Sequence, residues 1–195
     1  FVLTAKKGEH PYEKISEDAF FLFLQKRKGL LDGVVICGGE PTVQPDLRTF
    51  CEKIKKQGLL VKLDTNGTNP ALLRSLIDDG LVDYVAMDIK TDYTQRYQLL
   101  QISKLYGNYC ESISLLLERK VDYEFRTTMI KNYHTPERFQ HMLQRIAGAK
   151  NYYLQAYRPQ KTLDPRFDGE QFTRDELEEY RQIAATYVGR CEVRG

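Results

Sequence analysis

No apolar run in this 195-residue chain approaches the roughly 20 residues that a membrane-spanning helix needs, and nothing in it reads as a secretory leader. The expected setting is the cytoplasm, with no membrane partner. Cysteine is sparse: Cys37, Cys51, Cys110 and Cys191, with no two at metal-ligand spacing. No zinc or iron–sulfur site can be read from that set. Cys37 ends a predicted strand, and Cys51 and Cys110 sit on apolar helix faces, so all four are expected to be buried, reduced thiols. Neither sign of charge dominates; a net charge of +2 gives no reason to invoke nucleic acid. A Walker P-loop, a Gly-x-Gly-x-x-Gly turn and a nucleophile elbow are all missing. Phosphoryl transfer, hydride transfer and serine hydrolysis therefore lack their usual sequence support. His10, His134 and His141 fall in loops or on helices, away from any candidate site, and none is given a catalytic role.

What is present is a regular alternation. With 42% hydrophobic and 29% charged residues the chain is globular, and it is read as a single domain over residues 1–195. Ser16 caps a first helix with Phe20, Phe23 and Leu24 on one face. Val34 to Cys37 is a short buried strand, followed by a helix whose Leu47, Phe50, Cys51 and Ile54 keep the i, i+3, i+4, i+7 stripe. Further predicted strands are Leu59 to Leu63, Val82 to Met87, Val121 to Ile130, Tyr152 to Tyr157 and Cys191 to Val193. Helices between them begin at Asn69-Pro70, near Asn108, at Thr135-Pro136 and at Thr173. Asp88 to Lys104 is polar and poorly periodic and reads as a loop. Strand after helix after strand implies parallel pairing with right-handed crossovers. Six strands fall short of the eight of a closed barrel, which leaves an open partial barrel or a doubly wound sheet.

Gly38-Gly39-Glu40-Pro41 stands at the carboxyl end of the first of these strands. In a parallel sheet that is where ligands bind. Two glycines admit a ligand close to the backbone, and the glutamate offers one negative charge to a cationic amine. The same rim collects Asp64, Thr65, Asn66 and Gly67 after the second strand and Asp88 and Lys90 after the third. Arg126 lies on the face of the alternating strand opposite Phe125, and Gln155, Tyr157 and Arg158 close the next strand. Each group has an ordinary explanation alone: Asp64 to Gly67 as a turn, Asp88 and Lys90 as an ion pair. Five successive strands giving polar groups to one rim argue for a ligand site.

In order, Gly38-Gly39-Glu40-Pro41, Leu63-Asp64-Thr65-Asn66-Gly67, Met87-Asp88-Ile89-Lys90 and Phe125-Arg126-Thr127-Thr128 resemble the glycyl-radical-enzyme activating branch of the radical S-adenosylmethionine enzymes. Within that branch the chain looks most like the activating proteins of anaerobic ribonucleoside-triphosphate reductase, with the pyruvate formate-lyase activases near. The resemblance implies a partial TIM-like barrel. It implies that Gly38, Gly39 and Glu40 meet the methionine amino group of S-adenosylmethionine, that Asp64, Asn66, Asp88, Lys90 and Gln155 line the cofactor site, and that Arg126 lies near the methionine carboxylate. It further implies a [4Fe-4S] cluster, an electron donor such as a flavodoxin or ferredoxin, and a glycyl radical enzyme as partner. The cluster would reductively cleave S-adenosylmethionine, and the resulting 5′-deoxyadenosyl radical would take a hydrogen from a glycine of that partner. The family's Cys-x-x-x-Cys-x-x-Cys motif is absent from the sequence. It is expected just before Phe1, on a loop after a first strand that is likewise missing, so no catalytic or metal-ligating residue is assigned here. Where the pyruvate formate-lyase relatives end a strand in histidine, this sequence has Arg158. Two other readings stand beside this one: a binding module with a degenerate site, and a metal-assisted lyase or aldolase using Glu40, Asp64 and Asp88 as ligands and Lys90 as a Schiff base.

Overall fold

The computed structural model describes residues 15–90, 103–118, 120–159 and 167–195. Phe1 to His10 and most of the loop after Asp88 lie outside the described residues. In chain order the elements are α1 (Glu17–Lys26), β1 (Gly33–Ile36), α2 (Leu47–Lys56), β2 (Leu60–Thr65), α3 (Pro70–Asp78), β3 (Tyr84–Asp88), α4 (Ser103–Leu117), β4 (Asp122–Met129), α5 (Pro136–Arg145), β5 (Asn151–Ala156), α6 (Arg174–Ala184) and β6 (Arg190–Arg194). The six strands form one sheet in the order β1-β2-β3-β4-β5-β6, and every neighbouring pair is parallel. Strands laid down in sequence by right-handed crossovers, always in the same direction, put all their helices on one face. The sheet is therefore an open, partial TIM-like barrel rather than a doubly wound sheet.

The local signals explain the helix starts. Ser16 accepts from the Ala19 N–H, Asn69 from the Leu72 N–H ahead of which Pro70 occupies the first turn, and Thr135 from Arg138. At α6 the reciprocal capping box predicted from Thr173 and Glu176 is complete. Leu47, Cys51 and Ile54 of α2 are buried, as are Leu73, Leu76 and Ile77 of α3 and Tyr109, Ile113 and Leu116 of α4. They pack on Val61, Leu63, Val85, Met87, Tyr123, Phe125 and Leu154 from the helix-facing side of the sheet.

Three readings change. Phe23 is exposed, with the Arg27 guanidinium 3.8 Å over its ring; Phe20 and Phe21 make the contact instead, Phe20 stacked and Phe21 tilted against Phe50 of α2. Cys37 is exposed and lies just beyond β1, because among the described residues β1 is an edge strand paired only with β2. Cys110 on α4 is only half-buried.

Gly67 adopts φ +74°, and a Cβ there would stand 2.1 Å from Met87 Cε and 2.9 Å from its sulfur. Gly80 has a similar φ of +64° with no atom within 4 Å of a Cβ. Gly80→Ala is expected to cost only the left-handed backbone penalty, about 1–2 kcal/mol. Gly67→Ala should cost roughly 1–3 kcal/mol more through overpacking. Urea unfolding of the two variants measures the difference directly; equal losses would mean Met87 moves aside freely.

His134, in the loop between β4 and α5, is buried, with Nδ1 3.0 Å from the Ile130 backbone nitrogen and Nε2 without a hydrogen bond. Burial holds its imidazole below the usual histidine value. The neutral ring is thus the native form, and the unfolded chain binds the extra proton first. Stability should fall as the pH drops through the ordinary histidine range and level off below the depressed native value. The slope of ΔG against pH between about 7 and 5 should shrink in His134→Asn.

Candidate functional site at the carboxyl rim

The rim begins with a turn that glycine makes possible. Gly38 (φ +95°) and Gly39 (φ +53°) both take left-handed backbone, and a Cβ on either would meet nothing within 4 Å. The space over the pair is open. Glu40, next in sequence, is the opposite: it is 2% exposed. Its Oε1 accepts from the Thr42 N–H at 3.1 Å, the Thr42 hydroxyl at 2.6 Å and the Thr65 hydroxyl at 2.8 Å, and its Oε2 accepts from the Asn66 N–H at 2.6 Å. A buried carboxylate is tolerable only with such a set of donors. Glu40 therefore caps the short 3-10 turn Pro41–Val43 and ties the loop after β1 to the loop after β2. Thr65 passes the tie on by accepting from Gly67, and the Thr42 carbonyl accepts from the Asn69 side chain. Asn66 turns its side-chain oxygen back onto the N–H and hydroxyl of Thr68, an Asx turn.

Beyond these loops the second face of the sheet carries charge. In-register partners in a parallel sheet point to the same side, and the pairs Asp64↔Ala86↔Glu124 and Asp88↔Arg126↔Tyr153 share the face away from the helices. Arg126 donates from Nε to Asp88 at 2.6 Å and from Nη1 to Asp64 at 2.8 Å. Lys90 stands 3.5 Å from the other Asp88 oxygen, and Lys62 3.1 Å from Asp64 Oδ1. Oδ1 nevertheless lacks a well-aligned hydrogen bond. Burial opposes the Arg126 charge, but Asp88 and Asp64 outweigh it and hold the guanidinium above its ordinary value. Three cations (Lys62, Lys90, Arg126) face two carboxylates (Asp64, Asp88), leaving one positive charge in excess. Such a cluster can bind a carboxylate while its own anions hold the guanidinium rigid.

A deeper group was not read from the sequence. Glu124, 3% exposed, accepts both ends of the Arg194 guanidinium at 3.0 Å and the Tyr84 hydroxyl at 3.1 Å. Arg194 lies 3.2 Å over the Tyr153 ring, and burial followed by the Glu124 charge drives the Tyr84 phenol well up. The available signal was the alternation of β4, which puts Glu124 two residues before Arg126 on the same face. Gln155 shares that face, its side chain 3.5 Å from Thr128. Tyr157 rests edge-on to Phe167, and Arg158 is exposed.

Among the described residues no group of three His, Cys, Asp or Glu side chains is placed to hold a metal ion. Burial pushes the Cys51 thiol up to about 11 and the Cys191 thiol up to about 12, so both stay protonated. Glu40, Asp64 and Asp88 do not converge as ligands, since Glu40 is spent on the tie between loops. Nothing among the described residues fits an iron–sulfur cluster. S-adenosylmethionine does fit: open glycine backbone and a surplus cation share one rim, matching an ammonium and a carboxylate. No described helix is long and apolar enough to cross a membrane.

The family model of the radical SAM superfamily matches residues 6–146. A Methanocaldococcus jannaschii protein named as a glycyl-radical enzyme activating enzyme is 30% identical over 200 residues, covering 100% of this chain and 80% of that protein. The 7-carboxy-7-deazaguanine synthase of Neisseria meningitidis is 38% identical over 65 residues, which is 33% of this chain and 27% of that enzyme. In structure, a domain of the pyruvate-formate lyase-activating enzyme of Bacteroides vulgatus superposes with a TM-score of 0.61 at 18% identity, covering 84% of this chain and 99% of that domain. Fold, order of motifs and family match agree: the chain belongs to the radical SAM superfamily.

Proposed function

We propose that residues 1–195 work as a single domain that binds S-adenosylmethionine across the carboxyl rim, and that the protein activates a glycyl radical enzyme. The observation that carries the binding site is Arg126, held between Asp64 and Asp88 so that motifs from three strands meet at one guanidinium. The carriage of the name from a relative that spans the whole chain supports the activating role. Anaerobic ribonucleoside-triphosphate reductase is the proposed partner, which the order of motifs supports; a flavodoxin or ferredoxin is the proposed electron donor and the cytoplasm the proposed setting.

In this reading Gly38 and Gly39 let the methionine ammonium come against bare backbone. Glu40 shapes that turn and adds its negative charge from beneath, while Asn66 holds the neighbouring turn. Arg126 and Lys90 take the carboxylate, Asp64 and Asp88 keep the guanidinium plane fixed, and Gln155 offers an amide from the far side of the face. Bound there, S-adenosylmethionine supplies the sulfonium whose carbon–sulfur bond radical SAM chemistry cleaves. The residues of this chain bind and orient it. The described residues hold no ligand set for the [4Fe-4S] cluster.

A second reading, favoured by the local 38% match, is a radical SAM enzyme that works on a small deazaguanine-type molecule. Electron paramagnetic resonance separates the two. The activating role predicts a glycine-centred radical on the partner polypeptide after anaerobic incubation with reductant and S-adenosylmethionine. Turnover of a small molecule with no protein radical would replace it.

Two substitutions test the cofactor site by calorimetric titration with S-adenosylmethionine. Glu40→Gln puts an NH2 where donors already converge. It should lower stability by roughly 1–3 kcal/mol and cofactor affinity by at least about tenfold. Arg126→Met leaves Asp64 and Asp88 facing each other without their shared cation, so stability should drop by about 3–5 kcal/mol. Affinity should be lost almost entirely. Unchanged affinity in both would reduce the rim to a structural feature.

A further inference from the structure

The cofactor site proposed above ends at Asp64, yet the charged network does not. Lys62 is shared: its ammonium lies 3.1 Å from Asp64 Oδ1 and 4.0 Å from Glu124 Oε1. Glu124 is itself clamped by Arg194 from β6 and Tyr84 from β3. One line of alternating charge thus runs from Arg194 through Glu124, Lys62, Asp64 and Arg126 to Asp88. Its far end is fixed by a bidentate pair to a guanidinium stacked over Tyr153, a geometry more specific than a single contact. Resting on the reading of the rim as a cofactor site, we infer that Glu124 is a positioning residue: acting through Lys62, it sets where Asp64 sits and so how Arg126 is presented to the ligand carboxylate.

The physical reason is the sharing. Glu124 draws Lys62 partly away from Asp64, so Asp64 can give its other oxygen wholly to Arg126. With Glu124 neutralised, Arg194 and Lys62 become two cations facing each other. Lys62 is driven onto Asp64, and Asp64 is drawn off the Arg126 Nη1. A purely electrostatic role predicts the opposite for binding. Removing a negative charge from the network leaves it more positive and should tighten its hold on a carboxylate.

The test reads the guanidinium before it reads the ligand. In the wild-type chain, held at both ends by carboxylates, the Arg126 Nη signals in nitrogen-15 NMR should be resolved, reporting slow rotation about the Nε–Cζ bond. In Glu124→Gln that rotation should speed up by about tenfold, and affinity for S-adenosylmethionine should weaken by about tenfold. In Lys62→Met the further change Glu124→Gln should have no effect on either readout, because Lys62 carries the coupling. Should Glu124→Gln not fold, Glu124→Asp, which keeps the charge but withdraws it by one methylene, is expected to show a smaller change in the same direction. Unchanged rotation in Glu124→Gln, or an effect that persists without Lys62, overturns the inference. So does tighter binding. If the wild-type chain binds no S-adenosylmethionine while the rotation still responds through Lys62, the coupling stands and the cofactor reading is what fails.

Discussion

Everything at the rim follows from a constraint of handedness. Six parallel strands in sequential order put the connecting helices on one side, and among the described residues no helical layer covers the second face of the sheet. In a doubly wound sheet that face would be buried by apolar side chains. Here Lys62, Asp64, Asp88, Glu124, Arg126 and Arg194 occupy it and satisfy one another. Charges drawn wholly or partly out of water are neutralised locally, so this face carries a line of alternating charge. The same line leaves a surplus cation at the end where the strands open, next to backbone without side chains. Apolar packing on one face and paired charge on the other are two results of the same winding rule.

Glu40 shows how a motif can shape a rim without leaving a free carboxylate. Sequence reasoning gave it to an ammonium group. In the structure its four acceptor contacts are all internal. What remains open is the glycine pair, whose shape Glu40 enforces. Charge still acts through the buried carboxylate, since a site screened from solvent feels it more strongly than water would allow. The residue thus contributes a fixed geometry and a field, in place of a direct grip.

The sequence carried most of the architecture because its signals were local and mutually consistent. Asn69-Pro70, Thr135-Pro136 and the Thr173/Glu176 box each announced a helix start that the structure keeps. The period-2 pattern of β4 put Arg126 opposite Phe125, and the observed register agrees. Phe23 was misplaced because the apolar stripe of α1 is wide: Phe20, Phe21, Phe23 and Leu24 compete for one interface, and only the position of Phe50 decides. Cys37 was misread because burial of an apolar run depends on what flanks it, and β1 has a described neighbour on one side alone. Glu124 escaped notice for a different reason. A glutamate in a strand looks like a solvated residue until Arg194, seventy positions later, is known to lie beside it. Long-range charge pairing leaves no local trace.

The Glu40 tie also bears on how the fold can be recombined. Each strand with its following helix looks like an interchangeable unit, and barrels of this kind invite splicing from relatives. Yet one carboxylate in the first unit takes donors from both itself and the second, through Thr65 and the Asn66 amide. A junction placed between α2 and β2 would separate the acceptor from two of its donors. Joining after α3 keeps them on one fragment. The smallest inheritable piece of this rim is therefore two units long.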